Sequence, residues 1–381
     1  MATELLIKLA LTAFFILGLV LNFAGLLTWV ERKQSAIMQD RVGANRAIFK
    51  IPGWWAWPIN FVIRKIAGLG LLHPLADALK MMAKEDFTPA QGQKLLHTLA
   101  PFVSVFFALV TFAGIPFGDR LVLGDRVIEL QVAKIDAALL YIFAMLSLEV
   151  YGVILAGFAS RNNYALLGGL RATAQMISYE IALGIAIIGV VMVYGTTDLQ
   201  ELVRAQGKTV GGWIPLWGIL VQPVAFFVFL TAALAETKRV PFDLPEAESE
   251  IIGYFVEYSG MKFGMFFLAD FLETILVACL ATTLFFGGWQ VPYLMPDGFH
   301  FPWGTALPVS QWIYVLLGIA SFSIKVVLFC LLFMQIRWTL PRFRYDQLMR
   351  LGWLGLFPIS VINVLVTALV LTFFADGFSW R

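Results

Sequence analysis

Apolar residues crowd into eight runs along this chain, near residues 5–30, 95–117, 134–157, 172–195, 213–235, 263–288, 310–336 and 352–375. A helix needs roughly 20 such residues to cross about 30 Å of hydrocarbon, so each run is long enough for one span. The pattern predicts an all-α polytopic membrane protein with about eight transmembrane helices. The first run is too long and too uniformly apolar for a cleaved signal, so it too reads as a helix. Polar residues return in long stretches at 31–94, 236–262 and 337–351. Within the first, "LLHPLADALKMMAKED" (71–86) repeats Leu72, Leu75, Ala76, Leu79 and Met82 at helical spacing, with Asp77, Lys80 and Lys84 on other faces. That is the signature of an amphipathic helix lying along the membrane surface. Residues 1–381 thus read as one membrane domain with its long loops on one side, and no inverted repeat of the transporter kind is visible.

A mean hydropathy of +0.82, with 60% hydrophobic and 14% charged residues, excludes a soluble domain, which needs far more polar cover. An even number of spans puts both termini on one side. Of the 27 Lys and Arg residues, 19 lie in the loops on the other side. Basic loops stay cytoplasmic. The long loops therefore face the cytoplasm of a bacterium across its inner membrane, or the matrix of a mitochondrion. The net charge of +2 then belongs to topology and makes no case for nucleic acid.

The usual cofactor ligands are missing. Cys279 and Cys330 both fall within apolar runs, with no CxxC and no Cys/His cluster, which excludes thiolate-held iron–sulfur clusters and Cys-rich zinc sites. His73, His97 and His300 are far apart in sequence, and no GxGxxG or GxxxxGK[ST] motif is present. No flavin, haem, metal or iron–sulfur cluster is expected on this chain alone. Any electrons come from another subunit.

Charged residues inside apolar runs are costly and each needs a reason. Glu149 lies mid-run in "SLEVYGVILAG", Glu180 in "AQMISYEIALG", Asp270 and Glu273 in "FLADFLETIL", and Lys325 in "SFSIKVVLF". Asp270 and Glu273 read either as paired structural acids or as functional ones. Lys325 reads as a partner of Glu149, in structural pairing or in a proton relay. Glu180 is the strongest functional candidate, because Tyr179, Ser178 and Gln175 lie beside it to dress a hydrated proton path. In the first loop Trp54, Trp55 and Trp57 read as interface anchors, or as the apolar mouth of a site for a lipid-soluble ligand.

The second loop, "ETKRVPFDLPEAESEIIGYFVEY", packs Glu236, Asp243, Glu246, Glu248, Glu250 and Glu257 into 22 residues. Extended backbone puts Glu246, Glu248 and Glu250 on one face, whereas a helix stacks Glu246 on Glu250. Either way like charges crowd, and such a group holds fewer charges than carboxylates. A solvated acidic loop is the plainer alternative, weakened by the apolar residues interleaved from Val240 to Val256.

This loop resembles the signature loop of the H-type, quinone-site membrane subunit of respiratory NADH:quinone oxidoreductase, complex I. The resemblance extends in order through "ERKQSAIMQDRVGANR", "HPLADALKMMAKED", "GFASRNNYALLGGLRATAQMISYE" and "RWTLPRFRYDQLMRLGW". It implies a subunit of a proton-pumping enzyme that itself carries no redox centre. Its substrate is ubiquinone or menaquinone, received in a chamber formed with peripheral iron–sulfur subunits. The other partners implied are small membrane subunits, antiporter-like subunits and membrane lipid. Matched motif by motif, the quinone chamber and its coupling elements fall on Glu31, Arg32, Arg41, Arg46, Asp77, Glu236, Asp243, Glu246, Glu248, Glu250 and Glu257. Glu180 falls on the acid of the ISYE motif, and with Glu149 and Lys325, read above as charges inside apolar runs, it makes up the expected proton path. Arg337, Arg342, Arg344 and Asp346 fall in a loop that looks like a docking surface.

The sequence departs from the family pattern at Lys238, usually Asn, at Ala44, usually Pro, and at His73, usually Gln. Residues 49–67, "FKIPGWWAWPINFVIRKIA", look like an insertion near the quinone entrance. Membrane-bound hydrogenases carry a related subunit and form a second reading. A stand-alone cation/proton transporter is a third, and it predicts transport by the isolated chain.

Overall fold

The computed structural model describes residues 8–53, 57–123, 126–210, 213–245, 253–300 and 306–373. In chain order its helices are α1 (Lys8–Met38), α2 (Trp57–Leu69), α3 (His73–Ala83), α4 (Lys94–Gly114), α5 (Ala138–Ala159), α6 (Asn163–Tyr194), α7 (Leu199–Gln206), α8 (Gly218–Val221), α9 (Pro223–Glu236), α10 (Gly260–Phe285), α11 (Gln311–Thr339) and α12 (Tyr345–Phe373). Among the described residues, α1, α4, α5, α6, α10, α11 and α12 are long and apolar enough to cross a membrane. The protein is an all-α polytopic membrane protein.

One expected span takes a different form. The run at 213–235 becomes the one-turn α8 and the 14-residue α9, separated at Gln222. Pro223 has no N–H to continue a helix from α8, so it opens a new one at its first position instead. The last span also starts earlier than its apolar run, at Tyr345, which shortens the link from α11.

α10 is the central strut, buried continuously from Ala269 to Phe285. Around it, α4, α5 and α6 approach closely through small residues. A Cβ on Gly152 would lie 2.2 Å from Ser104 Oγ, and one on Gly157 would lie 2.8 Å from the Ala165 carbonyl. Without a hydrophobic drive between spans, this close backbone contact is what holds them together. α6 begins where Asn162 Oδ1 accepts the Tyr164 N–H at 3.0 Å, and it ends at Gly195, whose φ of 72° closes the helix in the left-handed conformation.

The amphipathic segment at 71–86 forms α3, with Leu75, Leu79 and Met82 exposed along one stripe. It meets α2 at 90°, and α2 occupies the later part of the 49–67 segment. On the opposite end of the bundle, β1 (Pro116–Leu123) and β2 (Arg126–Gln131) form a hairpin. Short pairs β3 (Thr209–Val210) and β4 (Ile214–Pro215), and the order β5 (Leu294–Met295), β6 (Gly298–His300), β7 (Ala306–Pro308), complete that end. There Asp119 accepts from Arg204 Nη2 at 2.9 Å and from the Tyr314 hydroxyl at 2.9 Å, tying β1, α7 and α11 together.

Candidate functional site

A cavity of about 640 Å³ opens between α1, α3 and the first half of α10. Its walls are apolar, built from residues such as Leu21, Gly25, Met81, Phe267, Leu268 and Phe271. Polar groups stand along it: Arg32 from α1 and Asp77 from α3 pair at 2.7 Å, with Lys80 and Lys84 nearby. Mostly apolar, with charged groups among its lining, it suits an amphipathic ligand.

Phe271 joins this cavity to a buried ion network. One side of its ring lines the cavity, and the Arg239 guanidinium lies 4.1 Å from its centroid. Arg239 Nη1 also reaches Glu31 Oε2 at 3.2 Å, while Arg337 of α11 bonds the other oxygen of Glu31. Glu31 and Arg32 are neighbours on α1. One of them faces the network and the other the cavity.

The loop from 237 to 245 is folded into the protein. Gln175 of α6 donates to the Ala235 carbonyl at 2.6 Å and to the Phe242 carbonyl at 2.8 Å, pinning the end of α9 and the loop after it. Phe242 stacks on Phe343 at 5.4 Å, and Asp243 Oδ2 accepts from Arg342 Nη2 at 2.9 Å. Burial pushes the Asp243 carboxyl up to about 6, against the pull of Arg342 and Arg337.

Deeper in, Lys238 takes a left-handed backbone with φ 56° and is 2% exposed. Its ammonium lies 3.0 Å from Glu273 Oε1 and 3.2 Å from Asp270 Oδ1. Burial works to discharge this amine, but the Glu273 and Asp270 carboxylates outweigh it and hold Lys238 well above the usual lysine range. The Glu149 carboxyl, fully buried on α5, faces Glu273. Glu236, at the end of α9, lies within electrostatic reach of both Glu273 and Glu180, and Ser147 of α5 donates to Glu180.

Several expected contacts are rearranged. Lys325 is not the partner of Glu149: its ammonium is held by the carbonyls of Phe286, Gly288 and Gln290 at 2.9, 2.9 and 2.7 Å, with Trp217 beneath it. It closes the end of α10 away from the ion network. Tyr179, Ser178 and Gln175 do not dress Glu180 with their hydrogen bonds. Tyr179 donates to the Leu348 carbonyl, Ser178 to Ala174, and Gln175 to the loop. Ser147, the actual partner, sits on another helix, where sequence neighbours cannot reveal it.

Of the other residues singled out by sequence, Arg41 and Arg46 are exposed. Glu257 stands apart from the network, accepting from Asn162 Nδ2 at 2.9 Å. Arg344 and Asp346 pair with each other at the surface, at 3.2 Å. Glu246, Glu248 and Glu250 lie outside the described residues, as do Trp54 and Trp55. The residue that sequence reading passes over as a site is Lys238. A lysine immediately before "RVPFDLP", followed by two acids inside the next apolar run, is the available signal.

The chain is similar to known proteins over nearly its whole length. A family model described as NADH dehydrogenase matches residues 10–368. The H-type subunit of NADH-quinone oxidoreductase from Thermomicrobium roseum is 43% identical over 364 residues, covering 94% of this chain and 95% of that one. Its counterpart from Flavobacterium psychrophilum is 40% identical over 375 residues, covering 98% and 100%. The one from Syntrophotalea carbinolica is 43% identical over 364 residues, covering 95% and 96%.

Proposed function

The chain belongs to the NADH dehydrogenase family, and from that premise we propose that it walls the quinone chamber of a proton-pumping NADH:quinone oxidoreductase and starts the proton path that quinone reduction drives. The observation that carries this is Phe271, which lines an apolar cavity and carries on its ring the Arg239 guanidinium of a chain of acids and bases. The quinone, ubiquinone or menaquinone, enters from the bilayer between α1 and α3. Its isoprenoid tail lies along Leu21, Gly25 and Phe267, and its head group passes Arg32 and Asp77 toward the peripheral iron–sulfur subunits. The membrane is the bacterial cytoplasmic membrane, with the loops that carry Arg41, Arg46, Arg344 and Asp346 turned to the cytoplasm to receive those subunits. Small membrane subunits and antiporter-like subunits continue the path.

Electrons arrive from a partner's cluster, and protons taken up with them complete the quinol. Negative charge arriving at the head group acts on Arg32 and Asp77 first. Through Glu31, Arg239 and Arg337 it then changes the field at Asp243, Lys238 and their acids. In a dry interior that field is weakly screened, so protons move to compensate it. Glu246, Glu248 and Glu250 continue the same acidic loop, and Glu236, Glu149 and Glu180 continue the path into the bundle.

Filling the cavity tests this reading. A Cβ at Gly25 meets nothing within 4 Å, so a side chain fits there without disturbing α1. Gly25→Leu in the assembled complex is expected to lower kcat/KM for a long-tailed quinone by about tenfold, or about 1.4 kcal/mol. NADH oxidation by a soluble acceptor should be unchanged. Equal rates with the long-tailed quinone would remove the cavity from the reaction.

A further inference from the structure

We propose that Lys238 is the fixed countercharge that sets how many protons the Glu149, Asp270 and Glu273 cluster holds. The inference deepens the coupling role above, and its link to pumping rests on that reading. Its geometric basis stands separately. Two carboxyl groups of α10, Asp270 and Glu273, contact one ammonium, and a third, Glu149 of α5, faces Glu273; all four residues are at most 7% exposed. Other titratable groups face this ammonium too: Tyr254 from the turn before α10, and Glu236 two residues back at the end of α9, with Glu180 of α6 behind it. Arg239, the next residue, turns the other way to Glu31.

The charge count gives the consequence. Carboxylates of like charge cannot all ionise in a buried space, and the number that do follows the number of fixed positive charges beside them. With Lys238 present, one carboxylate is neutralised without a proton. Replacing the ammonium by a neutral group makes the cluster take up about one more proton at the same pH. Lys238 is thus a positioning residue for protons, acting through Glu273 and Asp270. Its site in the loop between α9 and α10, pinned there by Gln175, keeps the ammonium in place against the acids.

The test uses the whole complex in lipid vesicles with Lys238→Asn, since Asn accepts a left-handed backbone, and with Lys238→Arg, which keeps the charge. Two quantities are followed against pH: the infrared absorption of protonated carboxyl groups, and protons translocated per quinone reduced. Lys238→Asn is expected to gain about one protonated carboxyl near neutral pH and to move the translocation profile up by about one pH unit. Lys238→Arg should match the wild type in both. An unchanged carboxyl titration in Lys238→Asn, or an Arg variant that behaves like Asn, would overturn the proposal. If Lys238→Asn does not assemble, Lys238→Asn/Glu273→Gln removes one charge of each sign and should assemble with a wild-type carboxyl titration. Failure of that pair to assemble would count equally against it. The infrared titration needs no turnover, so a wild-type complex that reduces quinone without moving protons would sink the functional reading and leave the Lys238 result standing.

Discussion

Lys238, buried, and Lys325, half-buried, are held by opposite kinds of oxygen. Lys238 faces the carboxylates of Asp270 and Glu273, whereas Lys325 faces the backbone carbonyls of Phe286, Gly288 and Gln290. Backbone carbonyls carry fixed partial charges that never titrate, and they gather at the end of α10, where the helix dipole already favours a cation. Carboxylates gain and lose protons. The same side chain is therefore a structural cap at one end of α10 and a partner in a changeable charge system near its middle. A buried charge reports on function through what surrounds it, and its sequence position alone does not distinguish the cases.

The sharpest way to break this contrast is Lys325→Met. It strands three carbonyls around the end of α10 and removes the charge over Trp217, with an expected cost of about 3 kcal/mol or more. Thermal unfolding of the complex should show the loss, and its pH profile should keep its shape. A variant of normal stability with a displaced pH profile would make Lys325 a relay after all. Next in size is Glu180→Gln, which keeps the shape and the Ser147 contact of the side chain but not its charge. Protons translocated per electron should fall several-fold while quinone reduction continues. Full pumping in an assembled complex would remove Glu180 from the path.

A smaller effect sharpens the carboxylate side of the comparison. Asp243 titrates near 6 in the folded protein against an ordinary value of 3.8, so the fold binds its proton more tightly than the unfolded chain does. Its contribution to stability is full below about pH 4 and is lost as pH rises through about 6. Asp243→Asn should flatten that part of the stability profile, measured as melting temperature against pH, by a few degrees at most. A slope that persists in the variant would assign it to another group.

Much of this is legible in the sequence. Seven of the spans follow apolar runs closely, because length and hydropathy are properties of a single segment. α9 escapes such a reading because composition cannot show that Pro223 starts a helix instead of continuing one. The acids Glu149 and Glu180 are visible as charges inside apolar runs, and Glu31 and Asp77 through the family motifs they fall in. Their partners are not. Which residue a charge meets depends on how each helix is rotated about its axis, and Ser147, Arg239 and Lys238 come from segments distant in sequence. Lys325 shows the limit clearly, since "SFSIKVVLF" gives the depth of the amine and nothing about the carbonyls that wait for it.

The contact between Lys238 and Glu273 has one more consequence, which is electrical. Glu273 stands 13 residues into the 26-residue α10, about 20 Å along a helix of about 39 Å, and Glu149 is similarly central in α5. The loop after α9 therefore carries its ammonium to roughly mid-membrane depth. An elementary charge crossing the whole bilayer does about 2.3 kcal/mol of work per 100 mV. A proton reaching this cluster from either face crosses about half of that drop. In the function proposed above, the membrane voltage therefore acts directly on the occupancy of these acids, and a fully charged membrane pushes back where the proposed path begins.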